Sequence, residues 1–121
     1  MSGEISVYLD EKLQVIRQHI EGNIDEEMTI RFFEESRAAA ARLKDPKMIR
    51  ILAISDSLGK GTPGARRSLM DNLNNDDVYR VALVGKNPFM KAAVSFLLVL
   101  KPSKKVRTFG NEDEALRWLN E

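Results

Sequence analysis

The residues best placed to do chemistry lie in one glycine-rich stretch, Gly59-Lys60-Gly61-Thr62-Pro63-Gly64, which follows a run of apolar residues and precedes a helical pattern. It matches G-x-G-x-x-G in form, the spacing that lets backbone approach a pyrophosphate at a helix N-terminus. The surroundings argue against a dinucleotide. Ser55, Asp56, Ser57 and Leu58 separate the apolar run from the first glycine, so the turn is not tight. The ribose-binding acid belongs about 20 residues on, where the chain has Val84, Gly85 and Lys86. A Walker loop is excluded as well. Gly59-Lys60 is followed by Gly61 rather than Ser or Thr, and Ile54 stands where the upstream glycine would be. What remains is a general property. Backbone N–H groups and the positive dipole end of a helix favour an anion, and Lys60, Arg66 and Arg67 lie beside them. The anion could be a ligand phosphate or a phosphorylated Ser57 or Thr62. Equally, Gly59, Gly61 and Gly64 could serve loop geometry alone, with Thr62 as a helix cap.

No other constellation forms. There are no cysteines, so disulfides, thiolate metal sites and cysteine nucleophiles are excluded. The one histidine, His19, falls on a strand pattern with no acid or nucleophile brought to it by spacing. Asp71, Asp76 and Asp77 bracket a helix end and turn, which reads as turn formation. Glu34-Glu35 and Glu112–Glu114 read as solvated helix faces. No acid–base or nucleophile–base pair is visible, so the chain is expected to be non-enzymatic, with no cofactor and no metal.

The elements that position the glycine-rich stretch follow from periodicity. Ile5, Val7 and Leu9 alternate with Ser6 and Tyr8, and a second strand over residues 12–20 completes a hairpin. Leu13 and Val15 point opposite to Ile16 and Ile20, which demands a bulge or a two-sided strand. Asp25 or Asn23 caps a helix running to about residue 44, with Glu26 and Glu27 in its first turn. It carries Met28, Phe32, Ser36, Ala39, Ala40 and Leu43 at helical spacing and stops at Asp45-Pro46. Residues 48–54 suit a central strand covered on both faces. Thr62-Pro63 opens a helix to about Asn74, with Ala65, Leu69 and Leu73 inward. Residues 78–84 form another buried strand. Asn87-Pro88 opens a helix over 88–100 that is apolar on most of its circumference. Residues 105–109 form a strand, and Asn111 caps a last helix with Ala115, Trp118 and Leu119 inward.

The order β-β-α-β-α-β-α-β-α predicts an α/β fold: a mostly parallel mixed sheet with an N-terminal antiparallel hairpin edge and about four helices. At 121 residues it fits a single domain, 1–121. The excess apolar surface of helix 88–100 is open to cover by a second subunit, a lipid, an apolar ligand or neighbouring helices. A homodimer through that helix is one expectation. The net charge of +1 gives no global pull toward nucleic acid. Its distribution is uneven. Residues 1–59 carry 8 basic and 11 acidic side chains, and residues 60–107 carry 10 and 3. No apolar run approaches the ~20 residues that cross a bilayer, and no export signal opens the chain, so a cytoplasmic protein is expected.

The element order and several core residues resemble STAS-domain proteins, in particular the SpoIIAA-like branch related to bacterial anti-sigma factor antagonists. Tyr79-Arg80-Val81-Ala82-Leu83-Val84-Gly85, then Val106-Arg107-Thr108-Phe109, then Glu114-Ala115-Leu116-Arg117-Trp118-Leu119 carry the resemblance. It implies a STAS/SpoIIAA-like fold and a regulatory interaction domain. The implied partner is a regulatory protein, such as an anti-sigma factor or kinase-like protein. In those antagonists a serine at the start of the helix after the central strand, within Asp-Ser-Ser-Gly, is phosphorylated. Aligned on Ile54, that motif falls on Gly61, Thr62, Pro63 and Gly64. Only the last glycine matches, and Pro63 takes the serine position, which leaves Thr62 and Ser57 as the nearest hydroxyls. The expected site is therefore the 55–67 loop and helix start: Ser57, Gly59, Lys60, Gly61, Thr62, Gly64, Arg66 and Arg67. A small-molecule site for an apolar or phosphate-bearing ligand is the alternative.

Overall fold

The computed structural model describes residues 3–55, 62–72, 78–85 and 104–121. Its strands are β1 (Glu4–Asp10), β2 (Val15–Glu21), β3 (Ile49–Ile54), β4 (Val78–Val84) and β5 (Val106–Phe109). Its helices are α1 (Glu26–Ala40), α2 (Pro63–Asn72) and, closing the chain, α3 (Glu112–Leu119). The sheet order is β1-β2-β3-β4-β5, with β1–β2 antiparallel and the other three pairs parallel. This is the mixed sheet with a hairpin edge that the periodicity predicts. The described residues hold three helices. The expected helix over 88–100, and the dimer surface assigned to it, lie outside them.

Alternation along the strands splits the core in two. Ile20, Ala53, Val81 and Leu83 point to the face that α1 and α2 cover, where they meet Phe32 and Ala65. Ile16 joins that side under Ala39 and Leu43. Val15, Leu52, Ala82 and Val84 point to the opposite face, against Ala115, Trp118 and Leu119 of α3. β2 is thus two-sided, and its register with β1 runs unbroken from Asp10↔Val15 to Glu4↔Glu21. No bulge is needed, because a strand inside a sheet covered on both faces buries both sets of side chains. The second strand starts later than the apolar pattern implies. Residues 11–14 form the turn, and Gln14 takes the left-handed conformation at φ 56°.

Caps set the helix boundaries. Asp25, rather than Asn23, caps α1, its Oδ1 accepting from the Met28 N–H at 2.8 Å. Asn111 caps α3 by accepting from the Glu114 N–H at 2.9 Å. α1 ends at Ala40, earlier than the periodicity suggests, and Leu43 reaches the core from the turn that follows.

Two arginines in the central strands tie down the far end of α3. Arg50 Nε donates to the Leu119 carbonyl at 2.7 Å, and Arg80 Nη1 donates to the Trp118 carbonyl at 2.5 Å. These carbonyls are among those a helix C-terminus leaves without intrahelical partners. The Arg80 guanidinium lies 4.8 Å from the Trp118 ring centroid and 5.1 Å from that of Tyr79. At the near end of α3, Arg17 holds Asp10 at 3.1 Å and Glu112 at 3.5 Å, joining the hairpin to the first turn of the helix.

The Asp10 carboxyl is held below its ordinary value, first by the Leu13 N–H and also by Arg17. A carboxylate with a depressed folded-state pKa stabilises the fold above its unfolded pKa, and that contribution disappears as pH falls through the folded value. Asp10→Asn is therefore expected to lower the urea midpoint at pH 7. The gap to wild type should narrow below the ordinary value of 3.8. A gap that stays constant down to the acid transition would mean that the Asp10 charge does not contribute.

Candidate functional site

The glycine-rich stretch leads from the C-terminal end of β3 into α2. Its described part is Thr62, Pro63, Gly64, Ala65 and the helix beyond. Ser57, Gly59, Lys60 and Gly61 lie outside the described residues, as does the side chain of Arg66. Arg67 is exposed on α2. Thr62 and Pro63 behave as the sequence predicts. The Thr62 hydroxyl accepts from the Ala65 N–H at 3.2 Å, and proline occupies the first helical position. Ala65 is fully buried and anchors the first turn in the core shared with α1.

A residue outside the predicted set completes this corner. The Thr62 hydroxyl donates to Glu26 Oε1 at 2.8 Å, and the Thr62 N–H donates to the Ile24 carbonyl at 3.0 Å. The start of α2 is thereby fixed to the start of α1 through both backbone and side chain. α2 has no acidic residue in its own first turn. Glu26, from the first turn of α1, brings a carboxylate to that positive helix end instead. Gly64 makes room for it, since a Cβ at this position would run into the Glu26 carboxylate. In sequence Glu26 reads only as a first-turn acid of its own helix. The signal in the chain was the missing acid in α2 together with a glycine at its second position.

The corner therefore differs from a simple cationic cradle. A carboxylate of the chain itself sits where an anion would, and the Thr62 hydroxyl is engaged as both donor and acceptor. A phosphoryl group on Thr62 would lose that donor and stand beside Glu26. A Thr62→Glu substitution would place two carboxylates together and remove the cap.

Other predicted residues fall where spacing puts them. His19 lies on β2 with Nε2 3.0 Å from Glu21 Oε1, both half exposed. Glu34 and Glu35 are exposed on α1, and Trp118 is a core anchor. The side chain of Asp71, and all of Asp76 and Asp77, lie outside the described residues. Among the described residues no group of three or more His, Cys, Asp or Glu is placed to hold a metal ion. No described helix is long and apolar enough to cross a membrane. A groove of about 570 Å³ opens on α1.

The SpoIIAA-like family model matches residues 15–120. No curated protein matches the chain. Among solved structures, the chain is similar to an uncharacterised protein of the DUF3478 family with a SpoIIAA-like fold from Shewanella loihica PV-4. That structure aligns with a TM-score of 0.69 at 16% identity, covering 98% of this chain and 93% of the other. At this identity the likeness speaks for the fold.

Thr62→Val is expected to lower stability by about 1 kcal/mol, the usual cost of a lost N-cap, whereas Thr62→Ser holds it. Gly64→Ala displaces the Glu26 carboxylate, so Glu26→Ala should have no further effect in that background. Urea denaturation of the two single variants and the double variant checks this. Simple additivity would show that Glu26 is not seated against Gly64.

Proposed function

The chain belongs to the SpoIIAA-like family, and from that premise we propose that it is a non-enzymatic, STAS-type interaction domain that binds a regulatory protein through its 55–67 loop and helix start. The observation that carries this reading is the anchoring of the loop's end. Thr62 is tied to Ile24 and Glu26, and Ala65 is locked into the core. A rigid frame that presents a connecting segment is the usual way a fold offers a recognition surface. Arg67 is an exposed cation on α2 and Glu26 is an exposed carboxylate at that helix's start, so the proposed surface carries both signs of charge. Mixed charge of this kind sets partner choice and orientation.

At the described helix start this reading rests on shape and charge, while Ser57, the other candidate phosphoacceptor, lies outside the described residues. Pro63 has no hydroxyl to modify, and the Thr62 hydroxyl is engaged by Ala65 and Glu26. The partner class suggested by the family resemblance is an anti-sigma factor or kinase-like protein.

The test is native mass spectrometry of the protein purified gently from its own host, wild type against Arg67→Glu. The expected result is a stoichiometric protein partner with wild type and its loss with Arg67→Glu at unchanged thermal midpoint. Full retention of the partner by Arg67→Glu would remove the α2 corner as the interface. A retained small molecule in place of a protein would move the assignment to a ligand-binding domain.

A further inference from the structure

A second surface, separate from the α2 corner, lies on the outward side of α1. The helix turns Thr29 and Phe32 into the core and leaves Glu27, Ile30, Arg31 and Glu34 outside. Ile30 is 60% exposed. Only Tyr8 among the other large apolar side chains described is comparably open. An isolated exposed isoleucine is ordinary, but this one lines a groove of about 570 Å³. Met28 and Ile30 give the groove its apolar lining, and Gly3 borders it at the start of β1. Asp25, Glu27 and Glu34 supply three carboxylates against the single guanidinium of Arg31. Among the described residues, no cation lies within 4.0 Å of Glu27 or Glu34.

The neighbouring strand is an edge. β1 ends the sheet order, so the backbone groups on its outer side have no ladder partner among the described strands. An extended segment adds to such an edge through main-chain hydrogen bonds, while its side chains find pockets alongside. Charge decides which segment fits. A second copy pairing β1 on β1 antiparallel about Val7 would set Glu4 against Asp10 at both ends, and like charges directly opposite are destabilising. A basic segment meets carboxylates instead. Glu27 and Glu34 are separated by about 10 Å along the helix axis, the span of roughly three residues of extended chain.

We propose that this groove and the adjoining edge of β1 dock an extended cationic segment of a partner protein. An aliphatic side chain rests on Met28 and Ile30, and flanking lysine or arginine side chains meet Glu27 and Glu34. This surface is independent of Arg67 and the α2 corner, so either assignment can fail without the other.

The experiment is an amide NMR titration of the full chain with the synthetic peptide acetyl-KVIVKV-amide, in which both lysines and the central isoleucine share one face of an extended chain, using acetyl-EVIVEV-amide as control. Shifts are expected at residues 3–9 and 25–34 with the basic peptide only. The affinity should fall about fivefold in Glu27→Lys/Glu34→Lys, and also on raising salt from about 20 to about 200 mM. Glu34→Lys alone lies away from the helix start and gives a smaller loss in the same direction, which keeps the test decisive should the double variant fold poorly. Absence of shifts at millimolar peptide would overturn the proposal. So would shifts that ignore the charge reversals, or β1 shifts that depend on protein concentration without peptide, which would assign the edge to a second copy.

Discussion

The side-chain alternation of β3 and β4 is the constraint on which the rest of the molecule depends. Leu52 and Ala82 point to one face, Ala53 and Leu83 to the other, and all four are buried. A sheet that buries both faces needs a helix layer on each. α1 and α2 supply one layer. The other, among the described residues, is α3, only 8 residues long. A helix this short has little intrinsic stability and is held by what it touches. Trp118, Leu119 and Ala115 bury its inner face, and Arg17, Arg50 and Arg80 hold its two ends. The two arginines on central strands are the cost of that arrangement. A guanidinium in a partly buried strand position is tolerated because carbonyls and aromatic faces replace its water. Arg80 finds both, at the Trp118 carbonyl and between the rings of Tyr79 and Trp118.

The α2 corner follows from the same layering. With α1 and α2 on one face, the start of each helix lies near the other, and α1 carries an acid where α2 has none. The Glu26–Thr62 contact compensates one helix dipole with a side chain from the other, and Gly64 removes the atom that would block it. The loop that follows the central strand is therefore pinned at its far end to a helix distant in sequence. In general, a segment anchored in this way loses less entropy when something binds to it.

The position of Pro63 acquires a physical meaning in this setting. Proline is favoured at the first turn of a helix because it has no N–H to leave unsatisfied. Beside a hydroxyl cap it makes a strong, fixed helix start. The chain thus has a proline-fixed helix opening where the resemblance to anti-sigma factor antagonists places a modifiable serine.

Local signals in the sequence determined the elements. Strand β4 and helix α3 with its Asn111 cap lie where period and capping place them, as does the Thr62-Pro63 helix start. These depend on residues within a few positions of one another, and the repeated single-helix crossovers then leave few arrangements of the sheet. Boundaries were less legible. Gln14 adopts a left-handed conformation and receives the Lys44 N–H at 2.9 Å, a contact 30 residues away that no local pattern contains. The arrangement of the candidate site was tertiary for the same reason. Thr62, Gly64 and Arg67 could be read as a helix start, but Glu26 is 36 residues from Thr62. Only the packing of α1 beside α2 brings that carboxylate to the helix end, turning an apparent anion cradle into a corner already filled by the chain's own charge.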